Sequence, residues 1–174
     1  MSDAHWCMLS TIGAIMRGPH HDGTHIDVLS SLKFGTKTRA PNIAGKIWAR
    51  VLRTVFGLDA ESTVSVSPRA SLRGSDLTRV HVEHGVEVHE WAKIYTLNYT
   101  TGSHEDVWIR RGTIVGPCAV IHPGSNIGSH CVIMSGSVVS GSVPDCHLAY
   151  GDPLVCTVID PENLKALRER ERAS

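Results

Sequence analysis

The sequence predicts an all-β solenoid, and three observations carry that expectation. Between Val107 and Pro144 an aliphatic residue recurs at every sixth position: Ile109, Val115, Ile121, Ile127, Ile133 and Val139. Four residues after each comes a small one, at Thr113, Ala119, Ser125, Cys131 and Ser137, until Val143 breaks the rule. Glycine is plentiful at 16 residues while aromatics make up only 5%, which suits narrow coils with many corners. So short a period is what stacked coils produce, because each coil buries its apolar face only against the next. Six residues make one strand and one corner. The aliphatic points inward, the small residue lets the corner close, and Gly, Asn or Ser takes the turn.

These repeats resemble the hexapeptide-repeat family of left-handed β-helices. The resemblance continues into the segment that follows, where Val143-Pro144 and Gly151-Asp152-Pro153 stand as that family's closing coil would have them. It covers about half the chain, and it is more specific for fold than for chemistry. It implies a left-handed parallel β-helix, whose crossovers are an exception to the usual right-handed rule. It also implies a homotrimer, since the family builds its sites between subunits.

Composition narrows the function classes. Lys plus Arg equals Asp plus Glu at 17 each, so no global field favours nucleic acid or an anionic membrane surface. The five cysteines, Cys7, Cys118, Cys131, Cys146 and Cys156, are odd in number and form no C-x-x-C, so neither a disulfide framework nor a cysteine zinc site is indicated. Cys118 and Cys131 fall inside the repeats and are expected to act as small buried residues. The apolar stretch Trp6–Met16 is too short to span a bilayer and has no basic segment before it, so a cytoplasmic protein is the expectation.

Taken in order, residues 1–60 are expected to form an N-terminal loop and an amphipathic helix, 61–157 the β-helix, and 158–174 a C-terminal helix or tail. Gly18 to Gly23 is a loop by composition. Its neighbourhood holds His20, His21, Asp22, His25 and Asp27, which read better as a polar loop than as metal ligands, because loop ligands without a rigid scaffold make poor sites. From Pro41 to Leu58 a helix is predicted, capped by Asn42, with Ile43, Ile47, Val51, Val55 and Phe56 as its apolar stripe and Arg50 and Arg53 on the polar side. That stripe is expected to pack on the mouth of the solenoid or on a neighbouring subunit. A basic helix ending in Phe-Gly ahead of the first coil also resembles the start of sugar O-acetyltransferases of the colanic-acid type.

Strands are expected from Val64. The intervals Leu72 to Val82 and Ile94 to Ile109 are not multiples of six, so the chain leaves the coil near Ser75 to Arg79 and between Tyr95 and Val107. Such excursions cluster on one face of a solenoid and often build its site. After Pro161 a short charged helix follows, with Leu164 and Leu167 as a thin apolar edge, expected on the surface or the cap.

The family resemblance implies an acyltransferase using acetyl-coenzyme A. In its sugar O-acetyltransferase branch a histidine in a loop takes the proton of the acceptor hydroxyl. An imidazole suits that task because its ordinary pKa of about 6.5 leaves it neutral near pH 7. The sequence departs here: Ile94-Tyr95-Thr96-Leu97-Asn98 matches the branch, but Tyr99 stands where the histidine is expected. The nearest histidine is His104, with Glu105 or Asp106 to orient its ring. His104 is therefore the candidate base, Asn98 and Tyr99 are candidate contacts to the acceptor or oxyanion, and His89 is the second choice. For the coenzyme, Ala119, Ser135, Gly136, Ser137 and Gly151 are candidates along the pantetheine arm. The family's lysine before Val-Pro is missing, because Ser140-Gly141-Ser142 stands there, so Arg110 and Arg111 are the candidate phosphate ligands.

Two other readings remain. His84 and His89, with His81 nearby, have the spacing of the zinc ligands in γ-class carbonic anhydrases, another branch of the fold. No metal is the favoured expectation. A catalytically silent trimeric scaffold would also account for the missing histidine and lysine.

Overall fold

The computed structural model describes residues 43–72 and 76–172. Helix α1 (Ile43–Phe56) leads into β1 (Asp59–Ala60) and β2 (Ser65–Val66). A 3-10 turn (Leu77–Arg79) then precedes β3 (Val80–Val82), β4 (Glu87–Val88) and β5 (Lys93–Ile94). The coils continue with β6 (Val107–Ile109), β7 (Ile114–Val115), β8 (Val120–Ile121), β9 (Asn126–Ile127), β10 (Val132–Ile133) and β11 (Val138–Val139). They close with β12 (Ser142–Val143), β13 (His147–Tyr150) and β14 (Val155–Val158), and helix α2 (Pro161–Arg172) follows.

Successive strands turn from one face of a three-sided prism to the next. The first face is β1-β3-β6-β9-β12, the second β2-β4-β7-β10-β13, and the third β5-β8-β11. Neighbours within each of these stacks are parallel. The exception is β14, which turns back antiparallel on β13 and ends the second face.

Three inward columns fill the prism. Val82, Ile109, Ile127 and Val143 stack on the first face. Val66, Val88, Val115, Ile133 and Ala149 stack on the second, and Ile94, Ile121 and Val139 on the third. All are buried. The small residues of the repeat close the corners and are buried too; of their buried hydroxyls, Thr113 and Ser125 donate to Gly128 O and Val139 O. Val143 breaks the sixfold rule because the last coil is shortened. It pairs with Ile127 and so takes an inward aliphatic place, not a small corner place.

Left-handed backbone makes the corners. Gly85, Gly112, His130 and Cys146 recur at one edge, and Trp91, Cys118 and Gly136 at another. Cys118 is therefore a half-buried corner residue and not the buried one expected. Cys131 is buried: its thiol donates to Pro144 O at 3.0 Å, and burial pushes its pKa up to about 11.

Helix α1 falls within the span expected to be helical, with the expected cap Asn42 outside the described residues, but it turns a different face inward. Gly45, Ala49 and Leu52 are buried, while Ile43, Ile47 and Val55 are exposed at 66%, 60% and 68%. Small residues let the helix approach β2 closely, and that contact outweighs the more hydrophobic stripe. The loop histidines His20, His21 and His25, with Asp22 and Asp27, lie outside the described residues.

Helix α2 is docked rather than loosely laid on the surface. The outward residues Ile114, Val132 and Leu148 of the second face are buried, as are Asn163 and Leu167 of the helix. Glu171 anchors the last turn to Arg111 and His84. Burial opposes its charge, but the hydrogen bonds from Arg111 and His84 hold its carboxyl below the usual range. Burial also lowers the His130 pKa, and the Arg168 and Arg111 charges add to that. Both groups bind protons more weakly folded than unfolded, so both cost stability as pH falls. Melting curves are expected to weaken first below the ordinary histidine value and again below the ordinary carboxylate value. In Glu171→Gln the second step shrinks. Among the described residues, no helix is long and apolar enough to cross a membrane.

Candidate active site

The excursion between Tyr95 and Asp106 is a small hairpin on the edge where the third face turns into the first. Leu97 and His104 form its antiparallel bridge. Asn98 N–H donates to Ser103 O at 2.8 Å, Gly102 N–H to Asn98 O at 2.7 Å, and Glu105 N–H to Thr96 O at 2.8 Å. The Asn98 side chain closes the turn. Its Oδ1 accepts from the Thr100 and Thr101 amides at 3.0 and 3.4 Å, and its Nδ2 donates to Glu105 Oε1 at 2.7 Å. Asparagine favours turns for this reason. Both ends of the Asn98 side chain thus hold the loop. Tyr99 stands at the tip, 77% exposed.

Three ties fix the hairpin to the prism. The hydroxyl of Thr96, a fully buried residue, accepts from Asp76 N–H at 2.8 Å. Asp106 pairs with Arg79 at 3.1 Å. Glu105 lies over Gly124, where a Cβ would stand 2.5 Å from its Oε2. Gly124 also has a φ of +73°, which costs a side-chain-bearing residue about 1–2 kcal/mol. Gly124→Ala is therefore expected to destabilise the protein by at least that amount and to detach Glu105 from Asn98. Chemical denaturation and the amide shifts of residues 96–106 check this.

His104 Nδ1 lies 3.1 Å from Thr96 Oγ1, and the residue is otherwise exposed. In the tautomer whose Nδ1–H donates to Thr96, Nε2 is an open acceptor facing solvent, the form that takes a proton. The orienting group is thus a buried hydroxyl. Glu105 and Asp106, expected to orient the ring, are claimed by Asn98 and Arg79. Thr96 and Asp76 join the site without a signal in the sequence, because their contacts link positions 8 and 20 apart.

The other candidates lie elsewhere on the prism. Ser135, Gly136 and Ser137 sit with Ala119 and Gly151 along the edge between the second and third faces. There Ala119 and Ser137 are buried, and their carbonyls accept from Lys93 and Val120 amides. Their side chains point inward, so what these two could offer a coenzyme is backbone, not side chain. Gly151 N–H donates to Ser137 Oγ at 3.2 Å. Ser135 is half-buried and Gly136 exposed, with open space where a Cβ would be.

Arg110 and Arg111 lie at the edge between the first and second faces. Arg110 pairs with Glu83 at 3.1 Å and its guanidinium stands over Trp108 at 5.6 Å. Arg111 pairs with Glu171 at 2.9 Å. A phosphate there must compete with these carboxylates. His84 shares that edge and bonds to Glu171, whereas His89 lies one edge on, 3.6 Å from Glu87. His81 stacks on Trp108 at 3.9 Å and bonds to Asp59 at 2.7 Å. Among the described residues no group of three or more metal-ligating side chains comes together.

The candidate base, the candidate coil residues and the candidate phosphate ligands therefore occupy three different edges of one prism. The surface grooves beside α1 and along α2 include none of them.

No family model matches the chain. A curated relative, the dTDP-3-amino-3,6-dideoxy-α-D-galactopyranose 3-N-acetyltransferase of Aneurinibacillus thermoaerophilus, is 40% identical over 45 residues, covering 26% of this chain. The match spans only 23% of that relative's length. Among solved structures, a galactoside acetyltransferase in complex with coenzyme A superposes with a TM-score of 0.54 at 16% identity, covering 79% of this chain and 82% of that one. A maltose O-acetyltransferase from Clostridium difficile 630 gives 0.52 at 19% identity, covering 76% and 84%. A hexapeptide-repeat-containing acetyltransferase from Vibrio cholerae gives 0.51 at 16%, covering 90% and 92%. The fold of this chain is thus the fold found in hexapeptide-repeat acetyltransferases.

Proposed function

We propose that the protein is an acyltransferase. It moves an acetyl or other acyl group from its coenzyme A ester to a hydroxyl or amine of a small-molecule or sugar acceptor, with His104 as general base. The observation that carries this reading is the hairpin. It is tied down at Thr96, Glu105 and Asp106, and it presents an exposed imidazole whose Nδ1 rests on the buried Thr96 hydroxyl. In the reaction, Nε2 takes the acceptor's proton as its oxygen or nitrogen attacks the thioester carbonyl. The C–S bond then breaks, and the proton passes to the leaving thiolate. The similarity in fold to acetyltransferases, one of them in complex with coenzyme A, supports the choice of acyl donor.

The same proposal includes a homotrimer of left-handed β-helices in the cytoplasm. The hairpin and the candidate coil residues lie on different edges of one prism and meet only if neighbouring copies bring those two edges together. The Ser135–Gly136 corner of one subunit would then line the pantetheine arm opposite the hairpin of the next.

Calorimetric titration with coenzyme A, alongside sedimentation equilibrium, tests this. The expected result is a trimer that binds one coenzyme per subunit. A monomer, or a trimer with no coenzyme binding, rejects the proposal.

A further inference from the structure

The carboxylate of Glu171 occupies a notch lined by Arg111, His84 and His130 on the edge between the first and second faces. Its Oε1 accepts from Arg111 Nε at 3.1 Å and Arg111 Nη2 at 2.9 Å, and lies 3.2 Å from His84 Nδ1. Gly85 and Gly112, at φ +69° and +63°, form the floor: a Cβ on Gly85 would run into the Glu171 side chain, and one on Gly112 into the His130 ring. The fourth group is His130. Its Nδ1 is buried, stands 3.6 Å from Oε2, and has no hydrogen-bond partner.

This mismatch identifies what the notch fits. A carboxylate has two oxygens in one plane, and here both stay out of hydrogen-bond reach of His130. A phosphate is tetrahedral and brings at least one more acceptor oxygen, enough to meet Arg111, His84 and the Nδ1–H tautomer of His130 together. We infer that the notch is a phosphate-binding site and that Glu171 holds it as an intramolecular stand-in.

Exchange needs only the last turn of α2 to unwind. The buried seat of the helix at Asn163 and Leu167 stays in place. The surrounding charges do not forbid it. Glu83 is already shared between Arg110 and the Arg111 backbone amide, Asp145 is engaged by Ser129 N–H, and Arg168 adds positive charge beside His130. Arg111 is also a candidate phosphate ligand of the coenzyme, but the acyl-transfer reading rests on the His104 hairpin, and failure of this inference would leave it intact.

The test uses the full chain in phosphate-free buffer, titrated with inorganic phosphate and, in parallel, with methyl phosphate. Glu171→Ala is expected to bind at least one of them at least tenfold more tightly than the unaltered protein, and Arg111→Gln added to it should abolish the gain. A response to methyl phosphate points to the phosphomonoester of a larger ligand, and a response to inorganic phosphate alone points to the free ion. A chain ending at Glu169 gives a second version that spares Leu167. If neither altered chain gains affinity for either probe, or if the gain survives Arg111→Gln, the inference is overturned.

Discussion

His104→Ala is expected to lower acyl transfer about 10²–10⁴-fold, the usual contribution of a positioned general base. Coenzyme binding should be unchanged, because the ring is hydrogen-bonded to Thr96 within the hairpin and not to the coils that would carry the coenzyme. Release of free thiol from acetyl-coenzyme A, measured with a panel of sugar hydroxyl and amine acceptors, reads the first effect, and calorimetry reads the second. His89 gives the control. It lies on a different edge and interacts with Glu87, so His89→Ala is expected to retain most of the rate. Full activity in His104→Ala would remove the imidazole from the mechanism.

The second large effect is on stability. Ile127→Ala removes a fully buried side chain from the middle of the first column, between Ile109 and Val143. Stacked coils have few ways to collapse into the hole, so the expected loss is about 2–5 kcal/mol. Val155→Ala, on the exposed closing strand β14, should cost far less. Equilibrium unfolding of the two variants side by side checks the contrast. Near-equal losses would mean that the columns do not carry the fold.

These two predictions differ in how far the sequence alone leads to them. The inward columns are legible because their cause is local. One aliphatic in six, repeated without a gap from Ile109 to Val139, is hard to obtain from any arrangement but stacked coils. Even there the shortened last coil is hidden, because Val143 looks like a fault in the period until its pairing with Ile127 is known. Helix α1 shows a different limit. Its period marks two faces, and hydrophobicity favours Ile43, Ile47 and Val55. Close approach to a strand rewards the smaller Gly45 and Ala49 instead.

In the candidate site, the existence of the hairpin can be read from the broken interval between Ile94 and Ile109. Its wiring cannot. Nothing near Thr96 announces that its hydroxyl will rest between Asp76 N–H and His104. Likewise, nothing near Arg111 announces a carboxylate 60 residues on. Such contacts are decided by which corners stack, and the two excursions change that count. The same stacking places Ala119 and Ser137 inside the core, although as small corner residues they read equally well as surface for a pantetheine arm.

The most direct measurement is a crystal structure of the protein soaked with acetyl-coenzyme A. The thioester carbonyl is expected on the hairpin edge, within about 3–4 Å of the place where an acceptor bonded to His104 Nε2 would sit, with the pantetheine arm against the Ser135–Gly136 corner of a neighbouring subunit. A thioester bound on another edge, away from His104, would contradict the proposed mechanism.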